Sequence, residues 1–399
     1  MKVLVADKLS PTALAGLEAA GFDVESDPAL AGEALAARVA ASGAEVLVVR
    51  STRVDAATLE AGQLALVVRA GAGVNTIDVD AASRRGVCVA NCPGKNAIAV
   101  AELTLGLILA LDRRIPDAVN DLRAGRWDKK GYGDARGLAG RTVGLIGLGA
   151  IGREVAARCR AFDMEVVAWS RSLDEAGAEA LGVRRVESPR AVAAACDVLS
   201  VHVALTGATR GLVGAEVLGA LRDGALVVNT SRGDVVDGAA LRAEVEAGRL
   251  RAGLDVWNQQ PADAQGEFTD PLGALPGVYG THHNGASTAQ AQEAIAAEAV
   301  RVAGVFKRTG TPPNCVNLAA ASPAACSLTV RHLDRVGVLA FVLERLREAE
   351  INVKEMQNVL FTGDDAAACA TIRVSARPGG ALLETLRGHP HVLAIQVNG

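Results

Sequence analysis

The string Gly147-Leu148-Gly149-Ala150-Ile151-Gly152 constrains the fold of this 399-residue chain more than any other feature. It follows an apolar run at 142–146 and opens an Ala-rich stretch, so it reads as the turn from a buried strand into a helix. Each glycine has its own reason to be there. The first permits a tight turn, the second lets the backbone approach a pyrophosphate, and the third lets the helix pack on its strand. Amides at the helix N-terminus then face the phosphates. The expectation is a doubly wound α/β unit that holds a dinucleotide on Gly147, Gly149, Ala150, Ile151 and Gly152.

Similar apolar runs recur along the chain. They lie at 3–6, 46–49, 66–68 and 87–89 before the glycine string, and at 165–169, 198–201, 225–228, 250–256 and 278–280 after it. Runs that are apolar on both faces are what helix-covered parallel sheets require. The turn Cys92-Pro93-Gly94 is a candidate hinge between two such units. A long helix at 290–308 leads into a Pro-bearing linker, Thr311-Pro312-Pro313-Asn314. The tail then changes to the order βαββαβ, a small ferredoxin-like module.

Composition removes several function classes. Lys and Arg number 41 against 45 Asp and Glu, and aromatics make up 3% of the chain, so there is neither a basic excess nor a stacking platform for nucleic acid. The most apolar stretch, 97–111, carries Glu102 and is too short to cross a bilayer. Four apolar residues at most precede the first charge after Lys2, which is no secretory core. The expectation is a cytoplasmic protein without membrane contact. Seven cysteines without a Cys-x-x-Cys pair predict reduced thiols and no metal site.

The residue after the second strand of a dinucleotide unit selects the cofactor. Here it is Ser170, followed by Arg171, where an acidic residue usually holds the ribose hydroxyls. Two readings stay open: NADP acceptance, or NAD use helped by Asp174 or Glu175. Three further segments fall after strands, where open α/β sheets bind ligands: Asn229-Thr230-Ser231-Arg232-Gly233-Asp234, the stretch from Gly253 to Pro261, and the stretch from Thr281 to Thr288. Oxidising a 2-hydroxy acid needs a cation for the carboxylate and reacting oxygen, and a group of near-neutral pKa for the hydroxyl proton. Arg232 and His283 offer those chemistries.

At this point the chain resembles the D-2-hydroxyacid dehydrogenase family, most nearly its phosphoglycerate dehydrogenases that end in an ACT domain. The resemblance rests on Val49-Arg50-Ser51-Thr52, Arg69-Ala70-Gly71-Ala72-Gly73-Val74, Asn96 to Glu102, the glycine string, Ser231-Arg232-Gly233, Leu254-Asp255-Val256, and His283 with Gly285-Ala286-Ser287-Thr288. It implies a discontinuous substrate domain, 1–93 with 284–312, around a nucleotide domain, 94–283, and an ACT module, 325–399. It implies that Arg232 clamps substrate and that His283 is the acid/base. Gly71, Ala72 and Gly73 would cradle the substrate carboxylate near Arg50, Ser51 and Asn96. Asp255 would meet the nicotinamide carboxamide, and His202, Thr230, Ser231 and Gly285 would line the cofactor. Lys129, in the basic run Arg126-Trp127-Asp128-Lys129-Lys130, would reach a substrate phosphate in a neighbouring subunit; a solvated charged turn is the other reading.

The reaction implied is oxidation of D-3-phosphoglycerate to 3-phosphohydroxypyruvate with NAD, or NADP, at the first step of L-serine biosynthesis. The rivals are an NADPH-dependent glyoxylate or hydroxypyruvate reductase, a formate dehydrogenase and a non-catalytic NAD(H) sensor. Three residues depart from the family pattern. Gln260 stands where a glutamate pairs with the histidine, and a neutral amide cannot stabilise imidazolium by charge. Asn284 replaces an apolar residue, and Asp163 a helix-ending glycine. In the tail, His332 and Asn352 match residues that hold an L-serine effector in inhibited relatives, with Asp334 a mismatch between them; a module used only for pairing is the alternative. A homodimer or homotetramer is expected.

Overall fold

The apolar runs become strands of two parallel sheets, and the tail forms a third, antiparallel one. The computed structural model describes residues 1–261, 265–319, 322–362 and 367–399. The chain divides into two compact units, Met1–Asn317 and Leu318–Gly399.

The first sheet contains β1 Lys2–Val5, β2 Asp23–Ser26, β3 Val46–Val49, β4 Leu66–Arg69 and β5 Cys88–Asn91, in the order β2-β1-β3-β4-β5. All its pairings are parallel. The second sheet contains β6 Thr142–Ile146, β7 Glu165–Trp169, β8 Arg184–Arg185, β9 Val198–Val201, β10 Ala225–Asn229, β11 Leu250–Leu254 and β12 Val278–Gly280. Its order is β12-β11-β10-β9-β6-β7-β8, so strand order reverses between β6 and β9. That reversal opens the crevice in which α/β sheets bind ligands, and the glycine string lies there.

Two long helices fix the frame. Ala97–Arg113 is an Ala/Leu run with high helix propensity, stopped where Arg114 turns left-handed at φ 49°. Its Leu107, Ile108 and Leu111 are buried against Val143, Leu145 and Tyr279 of the second sheet. Gly253 makes this seat, because a Cβ there would press on Leu107 and Leu111 at 3.1 Å. The second helix, Ala289–Thr309, returns to the first sheet and buries Ile295, Ala299, Val302, Ala303 and Phe306 against Val3, Val5, Val46, Val48, Leu66 and Val68. Each large apolar side chain so buried contributes roughly 1.5–3 kcal/mol.

Two strands escape the sequence reading, β2 and β8. Both lie at sheet edges, and their residues, Asp-Val-Glu-Ser and Arg-Arg, carry no apolar run. In the second unit, β13 Cys326–Leu333, β14 Val353–Leu360, β15 Ala367–Val374 and β16 Val392–Asn398 pair in the order β14-β15-β13-β16. Helices Val338–Glu348 and Gly380–Arg387 complete the βαββαβ order. Among the described residues no helix is long and apolar enough to cross a membrane, and no His/Cys/Asp/Glu group is arranged to hold a metal.

Candidate active site

The glycine string forms the strand-to-helix turn expected of it. Gly147 sits at φ 98°, and a Cβ there would collide with the carbonyl of His202. Gly152 is pressed against the carbonyl of Gly147, so any side chain would push the helix Ala150–Ala161 off its strand. Gly149 faces open space, with nothing within 4 Å of an added Cβ. A pyrophosphate therefore fits above Gly149, in front of the amides of Ala150, Ile151 and Gly152. His202 is half-buried beside this turn. Its Nε2 meets Ser200 Oγ at 2.8 Å, its Nδ1 has no partner among the described residues, and burial pushes its pKa down to about 3.

Ser170 and Arg171 directly follow β7, and Arg171 forms no ion pair among the described residues. The neighbouring acids are engaged elsewhere. Asp174 caps the helix Glu175–Leu181 by accepting from Gly177 N at 2.8 Å, and Glu175 pairs with Arg185 at 3.1 Å. The end of β7, where a ribose is expected, thus presents a hydroxyl and a guanidinium.

Arg232 is held by a compact turn after β10. Asn229 Oδ1 accepts from Ser231 N at 3.0 Å and from Ser231 Oγ at 2.7 Å, while Asn229 Nδ2 donates to the Arg232 carbonyl at 2.9 Å. Thr230 is buried, its hydroxyl 3.0 Å from that of Thr104 on the long helix. The Arg232 guanidinium donates to Ser231 O at 2.7 Å and reaches Gly73, where a Cβ would lie 2.7 Å from its Nη2.

His283 adopts a left-handed backbone, φ 52°, which a β-carbon disfavours. Asp255 imposes it. This buried carboxylate accepts from Thr281 Oγ1 at 2.5 Å, Asn284 N at 2.9 Å and Gly285 N at 3.0 Å, clamping the loop on both sides of His283. A Cβ at Gly285 would come 2.9 Å from Asp255, so only glycine fits that clamp. Most of the lone pairs of Asp255 are spent on this loop. A nicotinamide carboxamide would have to share what remains.

The imidazole itself contacts Gln260, whose Nε2 lies 3.0 Å from His283 Nδ1. Gln260 Oε1 lies on the other side, 3.5 Å from the Trp257 amide. An amide nitrogen offers only protons, so in this arrangement Nδ1 accepts and the neutral ring carries its proton on Nε2. Burial lowers the pKa of His283, and Arg232 and Arg69 lower it further against a partial offset from Asp255.

Two arginines act on this histidine, and one of them, Arg69 at the end of β4, was not a candidate in the sequence reading. Gly71 folds directly over its guanidinium, where any Cβ would collide. Burial and then the neighbouring Arg232 lower the pKa of Arg69, with Arg50 adding to the repulsion. Its Nε is buried without a partner among the described residues. Asp7 was also missed. It accepts from the amides of Arg50, Ser51 and Thr52 at 2.7, 3.1 and 3.0 Å and from Ser51 Oγ at 2.9 Å. Burial opposes its ionisation, but these donors outweigh burial and hold its carboxyl below the usual range. Asp7 therefore shapes the loop that carries Arg50 and Ser51. Asn96 sits at the start of the helix Ala97–Arg113, one turn beyond the candidate hinge.

Other expected residues are not brought together. Lys129 lies in an exposed turn beyond the helix Ile115–Arg123, beside Trp127, which is 80% exposed; none of the described contacts joins it to the site. His332 is buried, its Nδ1 2.8 Å from Leu333 O and its Nε2 3.2 Å from Asn358 Oδ1. It pairs with Ala368, whereas Asn352 precedes Val353, which pairs with Val374 opposite Cys326. At roughly 3.3 Å per residue the two lie some 20 Å apart along the strands. One copy of the module does not assemble them into an effector site.

With the geometry in place, comparison with known proteins is decisive at the family level. Residues 105–285 match the model of the D-isomer specific 2-hydroxyacid dehydrogenase, NAD binding domain. A hydroxypyruvate reductase of Thermotoga maritima is 41% identical over 269 residues, which is 67% of this chain and 85% of that protein. The chain belongs to the D-isomer specific 2-hydroxyacid dehydrogenase family. A D-3-phosphoglycerate dehydrogenase of Methanocaldococcus jannaschii is 39% identical over 307 residues, 75% of this chain; the chain spans 57% of that relative's length. Among solved structures, the TT0316 protein of Thermus thermophilus superposes with a TM-score of 0.69 at 34% identity, covering 79% of this chain and all of that one. The NAD⁺-bound 3-phosphoglycerate dehydrogenase of Entamoeba histolytica gives 0.65 at 25% identity, covering 80% and 99%. The cofactor of the family is NAD, and the cradle at Gly149 fits it.

Proposed function

We propose that the chain is an NAD-dependent D-2-hydroxyacid dehydrogenase that oxidises D-3-phosphoglycerate to 3-phosphohydroxypyruvate, the entry to L-serine biosynthesis. The observation that carries this reading is the set of three guanidiniums, Arg50, Arg69 and Arg232, around the Gly71–Gly73 turn beside His283. Asp7, an acid beside Arg69, is occupied by backbone amides. Such a pocket suits a substrate bearing both a carboxylate and a phosphate.

Bound NAD supplies the hydride acceptor. Within this chain, the amides of residues 71–73 hold the carboxylate, Arg232 polarises the C2 oxygen, and His283 takes the hydroxyl proton on Nε2. That last role needs the ring proton on Nδ1, so the Gln260 amide must turn to present Oε1. In the reverse direction the imidazolium, protonated on both nitrogens, gives up its Nε2 proton, and Gln260 Oε1 again accepts from Nδ1–H. An amide serves either tautomer by rotating, whereas a carboxylate serves one.

A second reading, reduction of hydroxypyruvate or glyoxylate with NADPH, is favoured by the Thermotoga maritima relative and by Ser170 and Arg171. We assign the substrate domain to 1–93 with 284–312, the nucleotide domain to 94–283, and an ACT module that pairs homo-oligomers to 325–399. L-serine inhibition through His332 and Asn352 would require two copies of that module. Initial rates separate these readings: 3-phosphoglycerate at pH 8–9 with NAD⁺ or NADP⁺, against hydroxypyruvate with NADH or NADPH, using wild type and Arg232→Ala. Turnover of 3-phosphoglycerate that falls about 10²–10³-fold in Arg232→Ala supports the proposal. Turnover confined to hydroxypyruvate supports the second reading, and binding of NADH without turnover the sensor.

A further inference from the structure

The Gly71–Gly73 turn is held from behind by a chain of polar side chains that none of the proposed chemistry uses. Asn91, the last residue of β5, donates from Nδ2 to Ala72 O at 2.6 Å, and the next amide, Cys92 N, donates to Gly71 O at 2.9 Å. The carbonyl of Asn91 accepts from Asn314 Nδ2 at 3.2 Å, and the same amide group donates to Glu298 Oε1 at 2.9 Å. Asn314 is left-handed, φ 58°, a conformation asparagine tolerates better than most residues and here fixed by its two contacts.

Glu298 closes the arrangement. It is 6% exposed, on the helix Ala289–Thr309, and it binds Arg301 through both oxygens at 2.6 and 2.9 Å. Its Oε2 also lies 3.5 Å from Lys95 Nζ, just past Gly94 in the segment that crosses from β5 to the long helix. Gly94 in turn stands against Ala150 of the glycine string, an added Cβ lying 3.6 Å from the Ala150 side chain. One buried carboxylate therefore anchors the support of the anion-binding turn and the crossing segment together. A group with these partners stays ionised, and its pKa is held at about 2, chiefly by Arg301.

We propose that Asn91, Asn314 and Glu298 are positioning residues that set the Gly71–Gly73 amides for the substrate carboxylate, without touching substrate or cofactor. This rests on the reading that those amides bind the carboxylate. Removing the Asn91 or Asn314 link lets the turn relax away from the substrate, so the effect falls on binding of the hydroxy acid and spares the nucleotide cradle, whose amides belong to the turn between β6 and the helix Ala150–Ala161.

The test uses Asn91→Ala, Asn314→Gly and Glu298→Gln, with Gly73→Ala as a probe of the turn itself. Asn314→Gly is the most direct, because glycine keeps the left-handed backbone and deletes only the amide. KM for the hydroxy acid, kcat and the Kd for NADH are measured for each, with melting temperature as the check on folding. The expected result is a rise in KM of about fivefold to tenfold in Asn91→Ala and Asn314→Gly, with kcat and the NADH Kd within twofold of wild type. Glu298→Gln should show a similar rise that is constant between pH 6 and 9. A KM within twofold of wild type in folded Asn314→Gly overturns the proposal, as does a parallel loss of NADH affinity. If Gly73→Ala raises KM while the three variants do not, the positioning role fails alone. If Gly73→Ala also leaves KM unchanged, the carboxylate reading fails and takes the proposal with it.

Discussion

At the scale of single residues, Gln260 decides what His283 can do at a given pH. Burial and the Arg232 and Arg69 charges already hold the imidazole below its ordinary value of 6.5, and the neutral amide contributes no opposing charge. The neutral ring, the form needed to accept a proton, therefore persists to lower pH than in a free imidazole. Gln260→Glu would place an anion 3 Å or so from Nδ1 and favour the imidazolium. The acid limb of kcat/KM for oxidation should then move up by about one pH unit, and reduction should hold its rate to higher pH. Paired pH–rate profiles check this, and an unmoved limb would show that Gln260 does not govern the titration. Arg232, His283 and Gln260 were legible because each lies in a motif after a strand. Arg69 and Asp7 were not. An arginine or aspartate at a strand end reads equally as a solvated charge, and only the fold shows that Gly71 closes over one and that the Arg50 loop wraps the other. For Ser170 and Arg171, Ser170→Asp should lower kcat/KM with NADP⁺ at least tenfold relative to NAD⁺ by repelling the 2′-phosphate. Equal ratios in variant and wild type would mean that neither residue sees the ribose.

At the scale of elements, most strands were legible from apolar runs, since a strand covered on both faces has little choice of residue. The exceptions show what the pattern depends on. β2 and β8 are edge strands whose residues face solvent on at least one side, so no apolar run exists to be read. Element ends carry a different signal, and Asp163 is the clearest. The helix Ala150–Ala161 finishes through Phe162 into Asp163 at φ 56°, the left-handed position at which glycine is expected. The carbonyl of Asp163 accepts from Gly140 N at 2.9 Å, so the turn cannot move to relieve its Cβ. Asp163→Gly should remove that strain. Allowing for the greater freedom of glycine in the unfolded chain, the gain is about 0.5–1 kcal/mol, a rise in melting temperature of about 1–3 °C by calorimetry. His283 shares the conformation but not the expectation, because there the Asp255 clamp imposes it and the imidazole is required.

At the scale of the whole molecule, the groups that organise the site also set how stability depends on pH, in two separate windows. His202 is pushed down to about 3 by burial, against 6.5 for a free imidazole, and His283 is lowered too. Between those values the unfolded chain binds protons that the native chain refuses, so stability falls as pH drops below 6.5. Carboxylates act lower. Glu298, held at about 2 against 4.5, contributes stability that is complete above 4.5 and is lost as pH falls toward 2, and Asp7 shifts in the same direction. The interval from pH 6.5 to 4.5 therefore belongs to the histidines. His202→Asn keeps a polar group beside Ser200 but cannot titrate. Its unfolding free energy should lose up to about 1.4 kcal/mol of slope per pH unit in that interval, whatever it loses in absolute stability. Urea unfolding followed by tryptophan fluorescence reads the right unit, since Trp127, Trp169 and Trp257 all lie within Met1–Asn317. A slope equal to that of wild type would mean that native His202 titrates near the value of a free imidazole.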